Sequence, residues 1–413
     1  MEIPALHQLR QQLRRSEWAR RLHFYCKVQQ ARLTMKKRSF AVDKFPKHHT
    51  DRIETVSGWY IRERLGECNL QIYLNDQPLA GLLTTHRHDL AVAFPELPRV
   101  VQSGFVGDLV VPPEIKAGEK FILSVRAQHR DKSVLLIREE VELREHGTDL
   151  NTRKIDFRDI FRDPLTGESV CSEAGKFRTT GPVGRTIASV GGVPHFYPAG
   201  KPCAIRLTER GTTHPYSSQA QQLIETSRLA LNFGAGVQTK DRLHDHVVNL
   251  DAIHFPWIDV VNTCRSLPFQ DSVFDAVISQ AVFEHLPDPF FAAREVFRVL
   301  RSGGRALIDT AFMQPFHGDP DHYFNMTCSG LRQIMQGFQI EELGVRSYQN
   351  PSLGLSMQIE AVLPFVSSAD WRNRLNQALT IIKQDGASFD SCLGEVGRET
   401  IAAGVYVLAR KPQ

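Results

Sequence analysis

Leu231-Asn232-Phe233-Gly234-Ala235-Gly236 joins an apolar run to a pair of closely spaced glycines. The apolar run from Leu229 to Phe233 reads as a short buried strand, and the glycines after it supply a turn that tolerates positive φ and lets a ligand approach the backbone. Val247-Val248-Asn249-Leu250-Asp251 repeats the form, its Asp falling fifteen residues after Gly236. A strand ending this way puts a carboxylate at the carboxyl edge of a sheet, where it can accept two hydrogen bonds from a ribose diol. The same Asp could instead cap a helix. The third glycine of a dinucleotide fingerprint is missing, because Thr239 stands there, and no Gly-Lys-Ser/Thr follows. Nicotinamide, flavin and P-loop nucleotide chemistry are therefore disfavoured.

Outward from this stretch, helix and strand patterns alternate. Tyr216–Ala230 and Pro289–Leu300 read as helices, and Ala276–Ser279 and Arg305–Asp309 as strands. Gln339–Val345 and Gly404–Ala409 read as a closing antiparallel pair. Such alternation predicts an α/β fold with a doubly wound, mostly parallel sheet. Leu353–Val366 and Asp370–Lys383 are helical by pattern and form an insertion over 352–384, large enough to cover a substrate or make a dimer contact.

The signals continue in order: Asp259-Val260-Val261-Asn262-Thr263-Cys264-Arg265-Ser266-Leu267-Pro268-Phe269, Asp271 through Ser279, Phe283-Glu284-His285-Leu286-Pro287-Asp288-Pro289, and Glu295 through Gly304. Together they resemble the class I S-adenosylmethionine-dependent methyltransferases, of the type 11-like branch, over residues 215–345. The resemblance implies a Rossmann-like seven-stranded domain with S-adenosylmethionine as cofactor. Gly234 and Gly236, with Ala235 between them, would line its methionine moiety; Asp251 would hold the ribose; Ile253 and Leu267 would flank the adenine. Asn232, Thr263 and Gln280 complete the expected cofactor set. Asn232 and Thr263 stand where many members have Asp, and Gln238 where many have a further glycine, so weaker cofactor binding is expected.

Methyl transfer to oxygen needs in-line alignment and a base within hydrogen-bond reach. His285, just after the fourth strand, is one candidate base; packing of the following turn is its other role. Phe316 through Thr327 resembles the segment that forms a lid over substrate in related sugar and lipid methyltransferases. It offers His317 and His322 as further catalytic candidates and Asp319 and Tyr323 as substrate contacts. Some quinone-pathway relatives bind a metal through two glutamates spaced by three and then a histidine. Ala281 replaces the first of these, so no metal is expected. Thr327 should cap a helix over Ser329–Gln336.

The remaining chain frames this domain. It has 413 residues, 42 % of them hydrophobic, and a formal net charge of +4, which excludes a wholly disordered chain. Residues 1–50 carry twelve Lys/Arg against three Asp/Glu. With helical spacing from Leu6 to Leu33, residues 1–48 read as a basic amphipathic leader that packs on the protein or touches an anionic membrane surface. Residues 52–147 hold short β-rich runs separated by turn signals and predict a small β-sandwich. Val56-Ser57-Gly58-Trp59, Asn75 through Ala80, Arg87-His88-Asp89-Leu90, Phe94-Pro95 and Ser103-Gly104-Phe105 resemble an Ig-like module of bacterial glycan-modifying transferases. Residues 155–205 resemble a small zinc ribbon that keeps only Cys171, hence a metal-free linker module before a methyltransferase domain over 213–413. Seven Cys without a C-x-x-C pair suggest reduced thiols.

The expectation is thus a cytoplasmic methyltransferase, peripheral to the inner face of the membrane if the leader binds it, acting on an oxygen of a glycan or glycolipid precursor. A quinone or small-lipid methyltransferase is the first rival, and a scaffold on a decayed methyltransferase fold the second. Nucleic acid is disfavoured as a partner because the Asn/Asp-Pro-Pro-Tyr type motif of base methylation is absent. A homo-oligomer is left open.

Overall fold

The computed structural model describes residues 40–50, 53–60, 69–85, 103–129, 132–144, 157–173, 176–209, 215–239, 243–318 and 321–413. Nearly all of the basic leader, the expected strand Leu90–Phe94 and Asp319 lie outside them. The chain divides into two units, one ending at residue 146 and one beginning at 147. Among the described residues no helix is long and apolar enough to cross a membrane.

Among its described residues, the first unit is built of β-strands. Its strands are β1 (Phe40–Lys44), β2 (His48–Thr50), β3 (Ile53–Tyr60), β4 (Asn69–Leu74), β5 (Gln77–Gly81), β6 (Leu83–Thr85), β7 (Gly104–Val110), β8 (Lys120–His129) and β9 (Lys132–Leu143). One sheet has the order β1-β3-β7-β6, and β5-β4-β8-β9-β2 run side by side in a second. Asn75 and Asp76 both have positive φ, 47° and 65°, as a tight β4–β5 hairpin turn requires. Trp59 and Phe105 are buried, each 1 % exposed, so their role is packing.

Among the described residues, the second unit is built on one eleven-stranded sheet. Its elements are β10 (Val170–Glu173), β11 (Lys176–Thr179), β12 (Thr186–Val190), β13 (Val193–Phe196), β14 (Ala204–Ile205), α1 (Ser218–Thr226), β15 (Ala230–Phe233), β16 (Val247–Asp251), β17 (Ile253–His254), β18 (Val260–Asn262), β19 (Phe274–Gln280), α2 (Pro289–Val299), β20 (Leu300–Ala311), α3 (Cys328–Ile334), β21 (Gln339–Gly344), α4 (Pro351–Val362), α5 (Ala369–Cys392), α6 (Gly394–Thr400) and β22 (Gly404–Arg410). The sheet order is β10-β11-β12-β13-β18-β16-β15-β19-β20-β22-β21, with β16, β15, β19 and β20 parallel and β22 antiparallel to both its neighbours. The order reverses at β15, between β16 and β19. That switch point is where open α/β sheets bind ligands, outside the carboxyl ends of the strands.

Period-two alternation divides the core. Leu231, Val248, Val277 and Ile308 face one layer with Val296 of α2 and Leu331 of α3. Ala230, Val247, Ala276, Ile278 and Leu307 face the other, with Ala220, Leu223 and Ile224 of α1. α1 ends earlier than the sequence pattern predicts. Ser227 closes it through Oγ on the Leu223 carbonyl, and the N–H groups of Arg228 and Leu229 donate to Asp275 Oδ2, pulling the chain straight into β15. Thr327 caps α3 as expected, its Oγ1 accepting from the Gly330 N–H at 3.1 Å.

Two differences from expectation stand out. Residues 155–205 do not stand apart as a separate linker module. β13 pairs in parallel with β18, His195 against Val261 and Phe196 against Asn262, and Phe161, Val170, Phe177, Ile187 and Phe196 share the main core. Aromatic side chains on a small segment need a larger core to bury them, and the neighbouring sheet provides it. The helical insertion is also longer than 352–384: α5 runs on to Cys392 and α6 follows it to Thr400.

Candidate functional site

The carboxyl edge at the switch point is assembled from four loops. After β15, the N–H groups of Gly234 and Ala235 both donate to the Leu250 carbonyl at 2.9 Å, folding the turn over the end of β16. Gly234 (φ 77°) and Gly236 (φ 60°) sit in the left-handed region. A Cβ on Gly234 would overlap Val282 Cγ2 and lie 3.0 Å from its Cγ1. The turn after β15 thus rests directly on the turn after β19, and only glycine fits between them.

Asp251 is the centre of this edge. Its Oδ2 accepts the Gly236 N–H at 2.8 Å and its Oδ1 the Ile253 N–H at 3.0 Å. It therefore locks the glycine turn to the second strand and does not cap a helix. Burial pushes its carboxyl up to about 6, against backbone hydrogen bonds from Gly236, Ile253 and Ala252 that favour the charged form. Those three N–H groups take three of its four lone-pair sites and leave one for a ribose hydroxyl.

Asn232 is buried at 6 % exposure, and its Nδ2 donates to Tyr216 Oη (2.8 Å) and Asn249 Oδ1 (3.0 Å). The two N–H groups of its amide are thus spent inside the fold. Gln238 is likewise tied to the turn through a hydrogen bond from its Nε2 to the Ala235 carbonyl. Ala235 is buried, and Ile253 is buried where β17 pairs with β14. Thr263 has an exposed side chain, and its N–H donates to the Phe196 carbonyl at 2.9 Å.

Leu267, expected beside adenine, is held by α2. It is 4 % exposed and belongs to the main core. Its N–H donates to Glu295 Oε2 and its carbonyl accepts from Arg298 Nη2, so α2 holds the Leu-Pro-Phe segment from below.

Gln280, at the end of β19, donates to Asp309 Oδ2 at 3.2 Å. Asp309 is 3 % exposed; it also accepts from Tyr348 Oη and faces Arg346, and its carboxyl is raised mainly by burial. Asp309, Arg346 and Tyr348 carry no local motif and are found only by the pairing of β19 with β20.

The turn Phe283–His285 and the segment after β20 form the fourth part. The Glu284 carbonyl accepts the N–H groups of Tyr323 (2.7 Å) and Phe324 (3.2 Å), docking that segment onto the turn. His285 and His317 have ring centroids 5.1 Å apart, and His317 and His322 4.3 Å apart. His322 Nδ1 accepts the His317 N–H and its Nε2 meets the Phe324 carbonyl at 3.2 Å, so both its nitrogens are engaged. Burial, with His317 and His285 alongside, lowers its basicity. Tyr323 is exposed, with its hydroxyl 3.3 Å from Asp321. Glu284 is 1 % exposed, and its Oε2 accepts from Thr310 Oγ1 at 3.0 Å. Sequence reading placed Glu284 only within a motif; the structure places it beside the histidines.

Residues 232–308 match a family model described as a methyltransferase domain. An uncharacterized methyltransferase of Mycobacterium sp. (strain KMS) is 31 % identical over 140 residues, 34 % of this chain and 44 % of that one. A sarcosine/dimethylglycine N-methyltransferase of Halorhodospira halochloris is 30 % identical over 125 residues, 30 % of this chain and 40 % of that one. The chain thus spans less than half the length of these curated relatives. A crystal structure of Haemonchus contortus phosphoethanolamine N-methyltransferase 2 with S-adenosyl-L-methionine aligns at a TM-score of 0.30 and 16 % identity, over 47 % of this chain and 53 % of that one. The family match opens at Asn232 and closes at Ile308, so the segment holding the glycine turn, Asp251 and the Glu284–His285 turn is similar to a methyltransferase domain.

Proposed function

We propose that the second unit binds S-adenosylmethionine at the carboxyl edge of β15 and β16 and transfers its methyl group to an oxygen of a hydroxylated acceptor, a glycan or glycolipid precursor. One observation carries the reading: Asp251 is fixed by the Gly236 N–H beside a turn that only glycine can make. A carboxylate held next to an open backbone turn suits a ribose diol joined to a charged amino-acid moiety. In the reaction an acceptor oxygen lone pair forms a bond to the sulfonium methyl carbon. The carbon–sulfur bond breaks with its electron pair staying on sulfur, and S-adenosylhomocysteine leaves. The hydroxyl proton must also leave. His285 and His317 stand next to the turn after β19 and can each offer an Nε2 lone pair, whereas both nitrogens of His322 are occupied.

The acceptor class rests on the hydroxyl-compatible segment 316–327 and on the likeness of the first unit to modules of glycan-modifying transferases. The N-methyltransferase relative supports a second reading, transfer to an amine, for which a base is needed only if the amine is protonated. Calorimetric titration with S-adenosylhomocysteine tests the cofactor part: binding in the wild type and at least tenfold weaker binding in Asp251→Ala are expected. No heat in the wild type defeats the proposal in favour of a scaffold. Mass spectrometry of polysaccharide and lipid from cells lacking the protein tests the acceptor, through loss of one methyl increment from a single component.

A further inference from the structure

Glu284, His285 and His317 each offer a ligand atom, and the three atoms lie within 4.8 Å of one another. We propose that these residues form a site for a single divalent transition-metal ion between the turn after β19 and the segment after β20.

Three independent features support the site. Glu284 Oε1 is buried without a hydrogen-bond partner, although the residue is only 1 % exposed and Oε2 is already satisfied by Thr310. A buried carboxylate oxygen left bare costs free energy that a cation would offset. Secondly, His285 Nδ1 lies 2.6 Å from the Asp321 carbonyl and His317 Nδ1 lies 3.0 Å from the Pro315 carbonyl. A carbonyl can only accept, so each Nδ1 carries the proton and each neutral ring keeps its lone pair on Nε2. That is the tautomer and bracing that metal-bound histidines use. Thirdly, the donors come from two segments clamped together, since the Glu284 carbonyl receives the Tyr323 and Phe324 N–H groups. The expectation of no metal rested on Ala281, which removes a carboxylate from the near turn; His317 brings a donor from the segment after β20 instead.

Two imidazoles and one carboxylate leave coordination positions open and suit zinc, iron(II), manganese or cobalt better than magnesium or calcium, which favour all-oxygen shells. Val282, which adjoins the Glu284–His285 turn in the chain, packs against Gly234. An acceptor hydroxyl taking an open position would release its proton to water more readily, and the histidines would then serve as ligands and not as bases. That role, unlike the binding itself, rests on the methyl-transfer reading.

The full chain, stripped with chelator, is dialysed against zinc(II), cobalt(II) or magnesium alone and the bound metal is measured by elemental analysis. One equivalent of zinc or cobalt is expected, with visible cobalt absorption bands and no magnesium retained. His317→Ala and Glu284→Gln should each loosen zinc at least tenfold, with circular dichroism melts showing that the variants fold. His322→Ala should loosen it less than either. Uptake no greater than that of the His317→Ala, Glu284→Gln double variant, or single variants that keep wild-type affinity, overturns the site. Calorimetry with S-adenosylhomocysteine runs alongside: heat without metal uptake removes the metal site alone, and metal uptake without heat removes the cofactor reading alone.

Discussion

Gly234→Ala tests the close contact on which the candidate site is built. At this position φ is 77°, and a new Cβ would overlap Val282 Cγ2 while standing 3.0 Å from Cγ1 and 3.2 Å from Cβ. Two costs follow. A left-handed alanine costs about 1–2 kcal/mol relative to glycine, and forcing a methyl into an occupied space costs about 1–3 kcal/mol more. The single variant should therefore lose roughly 2–5 kcal/mol of stability by urea titration. Val282→Ala removes both methyls that meet the new Cβ, at a cost of about 1 kcal/mol for the lost burial. Combining the two should recover the steric part and leave the backbone part. The double-mutant cycle then gives a coupling of about 1–3 kcal/mol. Cofactor affinity should stay impaired in the double variant, because the turn itself is altered. Additivity within about 0.5 kcal/mol would falsify the claim that the turns after β15 and β19 touch.

The other predictions are independent of that contact. Asp251, raised to about 6 from 3.8, holds its proton more tightly in the folded chain than in the unfolded one. Its contribution to apo stability is therefore full below pH 4 and is lost as pH rises through 6, an effect of about 3 kcal/mol. A diol needs the charged form, so calorimetric affinity for S-adenosylhomocysteine should fall about tenfold per pH unit below 6 and level off above 7. An Asp251→Asn variant that keeps the same slope would refute this. Arg298 binds Glu295, Asp271 and the carbonyls of Leu267 and Phe269, so Arg298→Met should cost about 3 kcal/mol by leaving the buried Glu295 charge with only the Leu267 N–H. Thermal melts check it, and a loss below about 0.5 kcal/mol would show the network to be surface decoration. Asp163, fully buried and paired with Arg185, should behave alike: Asp163→Ala costs about 3–5 kcal/mol, read by urea titration.

Local chemistry made much of the architecture legible. The apolar runs ending at Phe233 and Asp251, the α2 pattern after Asp288 and the Thr327 cap are each specified by neighbours in the chain, through strand burial and side-chain caps. The closing antiparallel pair was also readable, because β21 and β22 alternate as strands do. Element ends were read less well. α1 stops at Thr226 because Asp275, distant in sequence, takes the Arg228 and Leu229 N–H groups.

The α/β alternation, the glycine turn and the carboxylate after the second strand each depend on residues adjacent in the chain. Their surroundings emerge only once the chain is folded. The fold shows that Leu267 is core, that residues 155–205 extend the main sheet, that Asp309 gathers Gln280, Tyr348 and Arg346, and that His317 meets Glu284 and His285. The physical reason is that burial and the pairing of distant polar groups are set by which strands become neighbours. A parallel sheet joins strands far apart in the chain, so no local spacing records them.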